Sequence, residues 1–192
     1  VFRRLEPALR RLDQLLIKAV AAAQVAYSQA AAGDLYRGLY IGPEEVQRLL
    51  TREPTTSIFW GDGSGPDEIS VEAINESPRF NWLRQAFGLS SFDLDVIVIV
   101  LAPELDLRYE RLYAYLQDDV TRKRPSVDLV LNLLCGSVPE KLNGRRHFAT
   151  DAPLIAQRLV QLIADPHQVQ PPLLTQHLKL DEQVIKLFLE ET

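Results

Sequence analysis

The chain has 192 residues, 46% of them hydrophobic and 24% charged, and carries a net charge of −5. That is enough for one domain, or two small ones, with a sizeable core. The acidic balance argues against a broad electrostatic grip on nucleic acid, which needs a basic surface.

Residues 1 to 32 read as one long helix. The first residues are charged and lack the apolar core and cleavage site of a signal peptide. Residue 1 is Val and methionine is absent altogether, as expected of a piece of a longer protein. Phe2, Leu9, Leu16, Ala23 and Ala30 form one apolar row, and Leu5, Leu12, Ala19 and Ala26 a second. The rows alternate at helical spacings and make a seam; the helix would be roughly 48 Å long. Two partners fit the seam: other helices of the same chain, which the alanines of its second half favour, or a coiled coil between chains. Gly33-Asp34 is a fitting stop.

Gly33 to Gly42 reads as a loop with aromatics. Pro43 then sits at the first turn of a short helix, Glu44 to Thr51, where its missing N–H costs nothing. Glu53 to Pro66 reads as a linker, punctuated by Gly61, Gly63, Gly65 and Pro66. A boundary is expected near residue 75. Pro78 to Phe87 is expected to be helical, with Phe80, Leu83 and Phe87 on one face and Gly88 at its end. Ser90-Ser91-Phe92-Asp93 has the form of a capping box. The run after it, Val96 to Leu101, is ambiguous, because β-branching favours a buried strand and the cap a buried helix. Even extended to Ala102 it is far short of the roughly 18 residues of a membrane span.

Arg108 to Gln117 is the cleanest amphipathic helix, with Tyr109, Leu112, Tyr113 and Leu116 on one stripe. Pro125-Ser126 opens another, with Asp128 favoured in the first turn. Its Val127, Leu129, Val130, Leu131, Leu133 and Leu134 predict burial nearly all round. Cys135 is the single cysteine; it makes no internal disulfide and fits a reducing, cytoplasmic setting. Gly136 to Arg146 reads as a loop. Asp151 is expected to cap a helix from Ala152 that bare periodicity carries to Ile163. After Pro171-Pro172, Leu174, Gln176, Leu178 and Leu180 alternate with Thr175, His177 and Lys179 as a half-buried strand. Asp181 caps the last helix, with Val184, Ile185, Phe188 and Leu189 on one side.

Little of this carries chemistry. Gly61-Asp62-Gly63-Ser64-Gly65 is followed by Pro66-Asp67, where a phosphate loop needs Lys-Ser/Thr, so it reads as flexible chain. The same stretch lacks the glycine spacing of a nucleophile elbow around Ser64. His147, His167 and His177 have no neighbour at metal spacing, and a zinc site needs about four ligands; they read as exposed loop or strand residues. Glu104 and Asp106, or Asp118 and Asp119, read as solvated helix ends and not as acid–base pairs. No catalytic, cofactor or metal residue is assigned. Arg122-Lys123-Arg124 could touch about three phosphates, but the following helix, Ser126 to Cys135, offers no Arg or Lys to a groove. Tyr and Arg are the residues that anchor protein interfaces, and Tyr109, Arg111, Tyr113 and Tyr115 share one short helix. Tyr115 lies off the apolar stripe. The candidate interaction residues are therefore Arg111, Tyr115, Arg122, Lys123 and Arg124.

The stretch from Leu101-Ala102-Pro103-Glu104-Leu105-Asp106-Leu107-Arg108-Tyr109-Glu110-Arg111 to Asp118-Asp119, with the turn Arg124-Pro125-Ser126-Val127, resembles the region upstream of the ATPase module in a group of bacterial AAA+ ATPases. Those are common in cyanobacteria and actinobacteria. Pro172-Leu173-Leu174, Leu178 to Glu182 and Phe188-Leu189 look similar too. The likeness spans roughly 80 to 190 and is most specific over 101 to 128. It implies a winged-helix-like region in which Phe92 to Ala102 is helical. It further implies that the helix from Ala152 breaks near Arg158, that Leu159 to Ala164 pairs as a strand with Leu173 to Lys179, and that Asp165 to Pro171 is the wing. The chain stops before any Walker lysine, so ATP and Mg belong to the parent protein and not to these residues.

The expectation is a mainly α chain: a helical arm and linker over 1–75, then a winged-helix-like domain with one C-terminal β-hairpin over 76–192. Its expected role is non-catalytic recognition, assembly or regulation. The implied partners are the downstream AAA+ domain of the same polypeptide, a protein client, and further copies through a ring formed by the parent; membrane and nucleic acid are not expected. The alternative is a DNA-binding winged helix that targets the ATPase to nucleic acid. A third reading is a lid over an enzyme's active site.

Overall fold

The computed structural model describes residues 2–31, 41–61, 65–66 and 77–189. The expected Gly33-Asp34 stop, the loop through Tyr40, Asp62-Gly63-Ser64 and the boundary near residue 75 lie outside them. The fold is mainly α with one small antiparallel hairpin near the C-terminus. Among the described residues no helix is long and apolar enough to cross a membrane.

Helix α1 spans Phe2–Ala31. Its seam is buried at Leu5, Leu9, Leu12, Leu16, Ala19 and Ala23, and Ala8, Arg11 and Leu15 widen the covered band. Ala26 is exposed, so the seam fades in the last turns. The cover comes from the same chain: α1 packs on α4 (Ser91–Leu105), α5 (Arg108–Leu116) and α6 (Val127–Leu134). Three polar contacts fix this docking. The Arg11 guanidinium makes a two-point ion pair with the buried Asp95 carboxylate, at 3.0 and 2.8 Å. Asp13 accepts from Arg108 at 2.8 Å and from the Tyr109 hydroxyl at 2.9 Å. Farther along, the Tyr27 hydroxyl donates to the Leu116 carbonyl at 3.0 Å.

The ambiguous run Val96 to Leu101 is helical. Ser90 and Asp93 form a full capping box at the start of α4 and so fix its type. Every residue from Asp93 to Ala102 is buried, which is why no face shows in the pattern. Pro103 sits inside this helix. It has no N–H for the carbonyl four residues back, that of Ile99. The buried Tyr113 hydroxyl donates to that carbonyl at 2.7 Å and replaces the missing backbone donor.

Helix α2 spans Pro43–Thr51 and α3 Pro78–Phe87, which closes on Gly88 in the left-handed conformation (φ 64°) that glycine adopts without strain. Phe80 of α3 stacks at 4.5 Å on Phe188 of the last helix, α9 (Glu182–Leu189).

Four expectations need correction. Gly136 to Arg146 is not a loop: Ser137 caps α7 (Val138–Gly144), with a proline in the first turn, and a 3-10 turn continues over Arg145–Phe148. Glu53 to Pro66 is not a free linker, because Ser57, Phe59 and Trp60 are buried. The helix from Ala152 does not reach Ile163. Helix α8 is only Pro153–Ala156, its N-cap is Ala152 and not Asp151, and Arg158 turns left-handed (φ 56°) before the strand begins. Finally, Leu173–Thr175 is a 3-10 turn, so the second strand starts later than the alternation suggests. Strand β1 (Val160–Ile163) pairs antiparallel with β2 (His177–Leu180), Val160 facing Leu180 and Ile163 facing His177. The break near Arg158 and a wing between the strands thus agree with the family resemblance and not with bare periodicity.

Candidate functional site

Helices α6 and α7 are joined by Cys135-Gly136-Ser137, a three-residue turn containing glycine. That is the connection of a helix-turn-helix, whose second helix is the one offered to a groove. The segment leading into α6 runs alongside β2: Ser126 bridges His177, the Val127 N–H donates to the Gln176 carbonyl, and the Leu178 N–H donates to the Pro125 carbonyl at 2.9 Å. The hairpin then follows α7 and α8. The recognition position is therefore α7 and its 3-10 extension, and not Ser126 to Cys135 as the sequence suggested.

Asn132 of α6 is the polar centre of this unit. Its side-chain oxygen accepts from the Lys141 ammonium of α7 at 2.8 Å, and its amide donates to the Asp128 carbonyl at 3.0 Å. Its backbone carbonyl accepts from the Ser57 hydroxyl at 3.1 Å and the Trp60 indole at 2.9 Å. Residues 57–60 thus latch onto the first helix of the helix-turn-helix. Burial pushes the Lys141 pKa down, and the Asp128 carboxylate only partly opposes it. Burial also drives the Cys135 thiol up to about 12, so it is no nucleophile. The residues that open α7 are Val138, Pro139 and Glu140; its lysine is turned inward, and Arg145 and Arg146 are exposed at its far end.

A second polar cluster joins the start of α4 to that far end. The His147 Nδ1 lies 2.7 Å from one Asp93 oxygen, while the other accepts from the Ser90 N–H at 2.8 Å and the Ser90 hydroxyl at 2.7 Å. The His147 ring stacks on Phe92 at 4.4 Å. Burial alone would raise the Asp93 pKa, but the hydrogen bonds from His147 and Ser90 outweigh it and hold the carboxyl below its usual value. This is not a nucleophilic triad, because the carboxylate stands between hydroxyl and imidazole and Ser90 donates to it. His147 is therefore a half-buried anchor and not an exposed loop residue. Among the described residues no three His, Cys, Asp or Glu side chains are grouped to hold a metal.

The five candidate interaction residues fall in two places. Arg111 and Tyr115 lie four apart on α5, both exposed; Tyr115 is 41% accessible and meets Tyr27 of α1 edge to face at 5.7 Å. Tyr109 and Tyr113 are core. Arg122, Lys123 and Arg124 belong to the turn before α6, where Arg122 pairs with Asp119 at 3.3 Å. Gln117 organises that turn: its amide donates to the Arg122 and Arg124 carbonyls at 2.9 and 3.0 Å, and its oxygen accepts from the Ser126 N–H. Arg124 borders a cleft of about 150 Å³ that also includes Glu104 and Glu110.

Sequence reasoning missed the latch and the two clusters. Phe59-Trp60 was the available signal, since two large aromatic residues in a glycine-rich stretch seek cover. Nothing in the sequence links Asp93 to His147 or Lys141 to Asn132.

A helix-turn-helix followed by an antiparallel hairpin, with a short segment bridged to the hairpin's second strand, defines a winged helix. Residues 67–191 match the family described as winged helix domain, variant, and the chain belongs to that family. Neither a curated protein nor a solved structure matches it.

Proposed function

We propose that this chain is a non-catalytic recognition and assembly module of an AAA+ ATPase, and that it grips protein and not DNA. Supporting the ATPase connection is the resemblance of residues 101 to 128 to the region upstream of such motors. On this reading ATP and Mg are bound by the downstream AAA+ domain, the protein works in the cytoplasm, and residues 1–75 are an arm serving the domain at 76–192. Arg111, Tyr115, Lys123 and Arg124 are exposed and would meet the client or the neighbouring ATPase domain; Arg122 frames their turn.

One observation carries the preference for protein. The second helix of the helix-turn-helix opens with Val138, Pro139 and Glu140 and keeps Lys141 inside on Asn132. Base edges are read by Arg, Lys, Asn or Gln near the start of that helix, and here they would meet an acid and two apolar residues. The wing, Asp165 to Pro171, holds no Lys or Arg for a minor groove.

The test is fluorescence anisotropy with random duplex at about 150 mM salt, where phosphate contacts alone are weak. No sub-micromolar binding is expected. Tight binding that disappears on changing Arg122, Lys123 and Arg124, or Arg145 and Arg146, to Ala would instead establish the DNA-binding alternative. Calorimetry with Mg-ATP should show no micromolar binding, since Pro66-Asp67 stands where a Walker loop needs Lys-Ser/Thr.

A further inference from the structure

Among the described α-helices, α2 alone has no buried residue. Val46, Leu49 and Leu50 fall on one stripe at helical spacing, and they are 43%, 55% and 75% accessible. Ile41, just before the helix, is 69% accessible. A nine-residue helix is marginal by itself in water and gains its stability by covering such a face.

The charges bordering the stripe indicate what covers it. On the helical wheel Glu45 and Arg52 lie along the same flank of the apolar stripe. They are seven residues, or about 10.5 Å, apart along the axis. Neither enters an ion pair among the described residues. An acid near one end and a base just past the other, on one side of an apolar strip, complement an antiparallel copy of themselves. A two-fold axis beside Leu49 sets Glu45 of each copy level with Arg52 of the other. It also interleaves Val46, Leu49 and Leu50 from both. A parallel two-fold would carry this flank of the two copies to opposite sides of the interface, where Glu45 and Arg52 would not meet.

We propose that two copies of this chain pair antiparallel through α2, with reciprocal Glu45–Arg52 contacts flanking the apolar stripe. The surface is self-complementary, as a two-fold interface must be. One nine-residue helix from each copy is a small contact beside the roughly 1,000 Å² of a stable interface, so the free chain pairs weakly. Pairing matters most where copies are held close together, which multiplies their effective concentration. The inference does not depend on the ATPase reading.

The experiment is sedimentation velocity on the full chain from about 10 µM to 1 mM, the range of a weak complex. The wild type should move from monomer toward dimer. E45R and R52E each turn both contacts repulsive, and each should raise the dissociation constant about tenfold. An equimolar mixture of E45R with R52E restores opposite charges at both contacts. In the mixed pair the introduced base faces the introduced acid, and the native Arg52 of one copy faces the native Glu45 of the other. Association should therefore return to the wild-type level. Circular dichroism of each variant controls for loss of the helix. A wild type that stays monomeric throughout overturns the proposal. So does a dimer indifferent to both reversals, or one that the mixture fails to restore.

Discussion

The Tyr113 hydroxyl is predicted to stabilise the fold because of Pro103, and this dependence can be isolated. Ile99 and Tyr113 are both essentially inaccessible, at 1% and 0%. The Ile99 carbonyl lacks its helical donor because residue 103 is proline, and the phenol at 2.7 Å supplies one. Tyr113→Phe keeps the ring and removes the donor, leaving a buried carbonyl unsatisfied at a cost of about 1–3 kcal/mol. In a chain of this size each kcal/mol lowers the melting midpoint by roughly 2–4 °C. In a Pro103→Ala background the backbone N–H gained at that position can reach the same carbonyl. There Tyr113→Phe should cost about 1 kcal/mol less. Urea unfolding of the four proteins, followed by circular dichroism with unchanged slope, gives the coupling directly. If the two Tyr113→Phe costs agree within about 0.5 kcal/mol, the hydroxyl does not replace the missing backbone donor.

Arg11→Met leaves the buried Asp95 carboxylate without its guanidinium, and should destabilise by about 3–5 kcal/mol in thermal melts, most of which Asp95→Leu in the same chain should recover. Because the Asp93 pKa is depressed, its stabilisation is complete above the ordinary value of 3.8 and is lost as pH falls through the depressed one. Acid titration of stability should therefore flatten in Asp93→Asn, and an identical acid limb would show that Asp93 gains nothing on folding. Ser57→Ala and Trp60→Phe each remove one of two donors to the Asn132 carbonyl and should cost about 0.5–1.5 kcal/mol. The double variant leaves that carbonyl without either donor, so urea melts should show a loss greater than the sum.

Local signals carried far into the fold. Ser90 and Asp93 announced α4 in the sequence, and the capping box outweighs the β-branched run behind it. The stripe on α5 assigned Tyr109, Tyr113 and Leu116 to the core and left Tyr115 outside. Reading failed where long-range partners or backbone detail decide. The α8 break depends on a left-handed Arg158, and arginine carries no turn signature. The α7 signals were present, since Ser137, a proline and Glu140 form a start, but the helix is short and its apolar pattern slight. Missing α7 shifted the recognition position by one helix. At the candidate site, Lys141 reads as a surface charge until Asn132 is placed beside it.

The docking of α1 has a mechanical consequence. Arg11 and Asp13 hold the helix to α4 and α5 near its first third, and Tyr27 holds it to the end of α5. The clamps are about 24 Å apart along the axis. A rod held at two separated points on one side cannot pivot about either without breaking the other. A pull applied along α1 is therefore passed to both α4 and α5, through Asp95, Arg108 and the Leu116 carbonyl together with the buried seam.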